Sequence, residues 1–157
     1  MIQMKKKNLL IGLIISLLFA CSQNEESAKN LYEAENFLEE NKNNSVVIEI
    51  EEGLQYSVLE SGSTYLSPKN SDVINADFHG TLLDGSVFWS SIENGEPLVI
   101  PLSQLIPGCQ KALALMQVGD KWRVFIHPAL AYGEQGRPGI PANSLLIFDI
   151  SLHSIET

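Results

Sequence analysis

The stretch Leu102-Ser-Gln-Leu-Ile-Pro-Gly-Cys-Gln-Lys-Ala-Leu-Ala-Leu-Met116 decides how this chain folds. Cys109, Ala112, Leu113 and Met116 recur at i, i+3, i+4 and i+7, while Gln110, Lys111 and Gln117 fall on the other side. That is the period of one short amphipathic helix. Pro107 suits its first turn, where the missing N–H has no partner to lose, and Gly119 stands where a C-terminal stop is expected. Everything else after Gly53 reads as strands and turns, so the apolar stripe must be buried by one face of a sheet. Leu105 and Ile106, which lead into the helix, are expected at its rim, beside any pocket left between helix and sheet.

Outward from the helix the period changes to two. Val46–Ile50 and Leu54–Val58 are strand-like on either side of Gly53, and Asp72–Phe78 sends Ile74, Ala76 and Phe78 to one face. Asp84-Gly85 lies between Leu82-Leu83 and Val87-Phe88, which predicts a two-residue hairpin turn. Asn94-Gly95 and Pro97 turn the chain into Leu98–Leu102, where Pro101 argues for an edge strand. Lys121–Ile126 and Leu145–Leu152 are the two best strands. Between them Tyr132–Pro141 is too rich in Gly and Pro for either period. The expectation is one α+β domain over residues 45–157.

The chain opens with Lys5, Lys6 and Lys7, then the apolar run Leu9–Ala20 and Cys21. A run this short does not span a bilayer, which takes about 20 residues, but it fits a signal-peptide core of roughly 7 to 15. Residues 1–20 are therefore expected to be removed. Leu18-Phe-Ala-Cys21 resembles a bacterial lipoprotein box, in which the cysteine receives lipid, although Phe19 is a less usual residue there. The alternative is an ordinary secretory signal with a chance cysteine. Ser22 carries no inner-membrane retention signal by the same resemblance, which implies an outer-membrane anchor at Cys21 facing the periplasm. Residues 21–44 read as a polar, Glu-rich tether. Leu31, Ala34 and Leu38, with Phe37 beside them, form a stripe too short to hold a helix alone. A solvated helix or loose spacer is expected there rather than a dimerising helix.

The net charge is −9, and removing Lys5, Lys6 and Lys7 leaves seven basic against 19 acidic residues, a net of −12. Such a surface repels phosphate backbones, so nucleic acid is excluded as a partner. With Cys21 lipidated, Cys109 stands alone and no intrachain disulfide forms. The chain carries no Gly-x-Ser-x-Gly, no Walker-type loop, no Cys-x-x-Cys and no His pair at metal spacing. His79, His127 and His153 fall in separate segments, so neither a metal nor a cofactor is expected. Cys109 on an apolar helical face reads as a small core residue. What remains is an aromatic set, Phe78, Phe88, Trp89, Tyr132 and Phe148, converging on the helix start; ordinary sheet core is the plain alternative.

Six motifs fall in the order and spacing of the FKBP-type peptidyl-prolyl isomerases. They are Gly53-Leu-Gln-Tyr, Thr81-Leu-Leu-Asp-Gly-Ser-Val-Phe88, Leu105-Ile-Pro-Gly108, Leu130-Ala-Tyr-Gly-Glu134, Pro141-Ala-Asn-Ser-Leu145 and Ile147-Phe-Asp149. The chain resembles the bacterial macrophage infectivity potentiator lipoproteins most, from about Ala34, where the end of a connecting helix matches, to Ile155. The resemblance implies a twisted antiparallel sheet curled around one short helix. It also implies cis–trans isomerisation of X-Pro bonds in proline-containing polypeptides of the cell envelope. No bond breaks in that reaction. The barrier of about 18–20 kcal/mol comes from lost amide resonance, so an apolar pocket with hydrogen bonds to the flanking backbone suffices and no acid, base or metal is needed.

Carried over to this chain, the resemblance makes Phe88, Leu98, Leu105, Ile106, Ile140 and Phe148 the lining of a proline pocket. The Ile106 N–H and the Tyr132 hydroxyl would bind substrate carbonyls. Three positions depart from the family pattern. Phe78 replaces a usual Tyr, Trp89 a usual Asp, and Cys109 the usual Trp of the pocket floor, so altered and reduced activity is expected. Trp89 and Cys109 read together as one exchange, the indole covering part of the floor from the sheet side. Arg137 stands at a variable position. A non-catalytic chaperone or assembly module, and a purely structural lipoprotein, are the rivals. A monomer is expected, since no counterpart of the potentiators' dimer domain is recognised before Ala28, and neither is a chaperone insertion or a metal-binding tail.

Overall fold

A computed structural model describes residues 23–156; the expected signal peptide and the Cys21 lipid site lie outside the described residues. The order is α1 (residues 23–41), β1 (Ile48–Glu51), β2 (Leu54–Glu60), β3 (Val73–Thr81), β4 (Val87–Ser90), α2 (Ser91–Asn94), β5 (Leu98–Pro101), α3 (Pro107–Leu113), β6 (Lys121–Ile126) and β7 (Leu146–Glu156). One antiparallel sheet runs β1-β2-β6-β7-β3-β4, with β5 on the same edge of β3 as β4. The β3–β7 ladder is the longest, from Val73 opposite Glu156 to Thr81 opposite Ile147.

The decisive helix forms where its period put it. Pro107 takes the first turn, Ile106 is the extended residue before it, and Gly108, Cys109, Ala112 and Leu113 are buried. Val124, Ile126, Phe148 and Ile150 supply the facing layer. Helix and sheet approach closely because residue 108 has no side chain: a Cβ there would stand 2.4 Å from Ile126 Cγ2. The helix is one turn shorter than its apolar stripe. Met116, fully buried, continues the stripe from the turn after Ala114.

Two expectations are corrected. The 84–85 hairpin is not a two-residue loop. Gly85 N–H donates to Leu82 O and Leu82 N–H to Ser86 O, so the corner is Leu83-Asp84, and Gly85, at φ 86°, adds a bulge that restores the register. The second correction concerns the polar segment before residue 45, which is a docked helix, not a spacer. Ala34 and Leu38 are buried with Phe125 and Leu145 on the face of the sheet opposite α3, and Phe37 meets Phe125 at 5.6 Å between rings. This explains why neighbouring Leu54 and Gln55 are both fully buried. Leu54 faces the α3 side; Gln55 lies under α1, where its Nε2 donates to Leu38 O at 2.8 Å and its Oε1 accepts from Asn41 Nδ2 at 3.0 Å. A buried amide with both ends satisfied fixes the C-terminal end of α1.

Candidate active site

Between α3 and the inner face of β3, β4, β5 and β7 lies a cavity of about 450 Å³. All ten residues named from the sequence border it: Phe78, Phe88, Trp89, Leu98, Leu105, Ile106, Cys109, Tyr132, Ile140 and Phe148. Strand alternation delivers Phe78 from β3 and Phe148 from β7, both buried, while Leu105 and Ile106 reach it from the entry to α3. Phe148 stands edge-on to Phe78 at 6.2 Å and to Phe88 at 5.4 Å, the arrangement favoured by aromatic quadrupoles. The missing side chain of Gly80 makes room for these rings. A Cβ on Gly80 would lie 2.5 Å from Phe88 Cζ and 2.8 Å from Phe148 Cε1.

The polar groups at the cavity are few. Among the described residues no acceptor takes the Ile106 N–H. Tyr132 offers a hydroxyl whose oxygen accepts from Arg137 Nη1 at 2.8 Å, and the Arg137 guanidinium stands 5.0 Å from the centre of the same ring. With its oxygen occupied as acceptor, the Tyr132 O–H is left to donate into the cavity. Cys109 is inert: burial pushes its thiol up to about 12, far from the range in which a thiolate attacks at neutral pH.

Trp89 stands at the cavity together with Cys109. It is 37% exposed and meets Phe78 at 6.3 Å between rings. The partly exposed indole is one wall of the cavity, and Cys109 is a buried one. A carboxylate stands behind the cavity wall without bordering it. Asp77 projects to the opposite face of β3, where its Oδ1 accepts from Ser91 Oγ at 2.7 Å and its Oδ2 pairs with His153 Nε2 at 2.8 Å. Ser91 Oγ in turn accepts the Phe78 N–H at 3.0 Å. Burial opposes the Asp77 charge, but the Ser91 and His153 hydrogen bonds outweigh it and hold the carboxyl below its ordinary value. The chain thus braces Phe78 through its backbone rather than through a ring hydroxyl.

Sequence reading missed Gly80, Ile100, Gln104 and Pro138, and set Arg137 aside as a variable position. The only local signal for Arg137 was its place in a Gly-rich loop; that loop folds back through paired Arg137–Ile140 backbone bonds, with Gly136 and Gly139 in left-handed conformations.

An antiparallel sheet closed over one short helix, with an aromatic cavity at the helix entry, is the architecture of the FKBP-type family, and the chain belongs to that family. Residues 65–153 match the family model for the FKBP-type peptidyl-prolyl cis-trans isomerase, and residues 15–58 match that of the domain amino terminal to it. The chain is 40% identical over 142 residues to the FKBP-type peptidyl-prolyl cis-trans isomerase FkpA of Aeromonas hydrophila, covering 90% of this chain and 53% of that protein. It is 43% identical over 121 residues to the peptidyl-prolyl cis-trans isomerase Mip of Coxiella burnetii, covering 76% and 52%. It is 38% identical over 134 residues to the outer membrane protein MIP of Legionella longbeachae, covering 85% and 57%. The crystal structure of FkpA from Escherichia coli superimposes with a TM-score of 0.91 at 32% identity, covering 98% of this chain and 71% of that one. The chain spans about half the length of these sequence relatives. The family likeness begins well before Ala34, where the sequence motifs placed its start, because the second family model takes in most of α1.

Proposed function

We propose that this protein is a peptidyl-prolyl cis-trans isomerase acting on X-Pro bonds of polypeptides in the bacterial envelope. The observation that carries the reading is an aromatic-walled cavity bordered by an unpaired backbone N–H, on Ile106, and one hydroxyl donor, on Tyr132. Planar amide resonance places charge on the carbonyl oxygen and nitrogen, and water stabilises that form. Moving the bond into the cavity removes the water, so the less polarised twisted amide loses less than the planar ground state. Ile106 N–H and Tyr132 O–H hold the carbonyls on either side while the bond between them turns. The barrier needs no proton transfer, and none of the cavity residues is placed to provide one.

The departures at Phe78, Trp89 and Cys109 remove a hydroxyl, a carboxylate and an aromatic floor, so turnover slower than in members with those groups is expected. The same departures favour the second reading, a module that binds proline segments without useful catalysis. A protease-coupled X-Pro assay separates the two. The envelope placement rests on the signal-like start and on the printed name of the Legionella longbeachae relative. We further infer a lipid anchor at Cys21 on the outer membrane, tested by radiolabelled palmitate incorporation that a Cys21→Ser variant abolishes. A monomeric state is supported by α1, whose buried residues Ala34 and Leu38 are covered by the domain's own sheet; sedimentation as a dimer at micromolar concentration would refute it.

A further inference from the structure

A second and larger cavity, of about 850 Å³, lies between the first turns of α1 and the loop 134–143. It shares Arg137, Pro138 and Ile140 with the proline pocket, so the two spaces lie on either side of one short run of loop. Its walls are tied together. Asn30 Nδ2 donates to Ala142 O at 2.9 Å, and Asn143 Nδ2 donates to Ser27 Oγ at 3.0 Å. Asn143 is buried in a left-handed conformation at φ 56°, and its own N–H donates to Gly133 O at 2.8 Å. These bonds tie the helix α1 to the loop beside the cleft.

Its chemistry differs from that of the pocket. Glu26 from α1 and Glu134 from the loop border it, and among the described residues neither is in an ion pair. The cation on the shared wall, Arg137, is engaged with Tyr132. Amide side chains of Gln23, Asn24 and Gln135 complete a polar lining suited to a peptide backbone.

We propose that this cleft is an extended substrate subsite, which takes the stretch of polypeptide flanking the proline and favours a basic side chain there. The proposal rests on the isomerase reading of the adjoining pocket and adds the sequence context of its substrates. An extended chain advances about 3.3–3.6 Å per residue, so a polypeptide with proline in the pocket crosses the Arg137–Pro138 ridge within a few residues. Glu26 and Glu134 outnumber the one cation on the cleft's lining, Arg137, which is engaged with Tyr132, so the cleft itself favours a cationic segment. Selection among X-Pro bonds then comes from residues near the proline as well as from the proline itself.

Three peptides test it on the whole chain by titration calorimetry: a short proline peptide that fills only the pocket, and two longer ones with the same core flanked by lysines or by glutamates. The lysine peptide should bind about threefold to tenfold more tightly than the short one, the scale of one or two exposed charge pairs. The glutamate peptide should show no gain. In a Glu26→Gln/Glu134→Gln variant, and separately in high salt, the ratio of lysine-peptide to short-peptide affinity should fall toward one. Equal binding of the lysine and glutamate peptides, or a ratio that survives both substitutions, overturns the proposal. Turnover of the short peptide is read alongside. Its absence would refute the isomerase reading, whereas normal turnover without a charge-dependent gain refutes the cleft alone.

Discussion

Replacing Gly80 with Ala tests whether the cavity is walled as described. The added carbon would lie 2.5 and 2.8 Å from two atoms of Phe88 and 2.8 Å from one of Phe148. Carbon atoms pack at about 3.5–4.0 Å, so each ring has to retreat by about 1 Å. Neither ring can do so freely, because each stands edge-on to the other at 5.4 Å and Phe148 is backed by Phe78. Overpacking of this kind costs about 1–3 kcal/mol, and the gain from removing a strand glycine returns about 0.5–1, leaving a net loss of up to about 2.5 kcal/mol. Urea unfolding should show a lower midpoint at unchanged slope. Trp89, which borders the cavity, should report weaker binding of a proline peptide by fluorescence. A variant as stable as the wild type with unchanged peptide affinity would mean that Phe88 and Phe148 do not meet over Gly80, and the wall assigned to them would be wrong.

Arg137→Met removes the donor to Tyr132 and should lower kcat/KM by about threefold to tenfold, the worth of one charge-assisted hydrogen bond at a partly exposed site, while Arg137→Lys restores part of it; equal activity in all three proteins would contradict the role given to Arg137. Asp77→Asn should cost about 1 kcal/mol at neutral pH. Because the folded carboxyl sits below its unfolded value, that stability is present above the unfolded pKa and is lost as pH falls through the folded one, so melting curves of variant and wild type should converge in acid. Leu38→Ala should destabilise the whole domain by about 2–3 kcal/mol through the cavity it leaves under α1; an unchanged melting temperature would return residues 23–41 to the status of a spacer.

The parts of the fold legible in the sequence were those whose signal is local. The α3 period needs only Cys109, Ala112, Leu113 and Met116, and the alternation of β3 needs only Ile74, Ala76 and Phe78. The docking of α1 was not legible, because a stripe holding Ala34 and Leu38 is marginal until Phe125 and Leu145, far along the chain, cover it. The hairpin was placed correctly but mistyped, since Asp-Gly serves both a two-residue turn and the last two positions of a bulged one. Site residues came from family motifs, so they stopped where the motifs stop. Gly80 and Arg137 act through a close approach and a loop that folds back on itself, and neither has a spacing that announces it.

If the cavity turns X-Pro bonds, it does so by speeding their relaxation between cis and trans. Uncatalysed, that relaxation takes tens to hundreds of seconds, slow enough to follow by protease-coupled release from a proline peptide. The relaxation rate should rise linearly with protein concentration and drop several-fold in Tyr132→Phe, while the variant still binds the peptide. A rate independent of protein concentration, with peptide binding intact, would contradict the isomerase reading and leave a proline-binding module in its place.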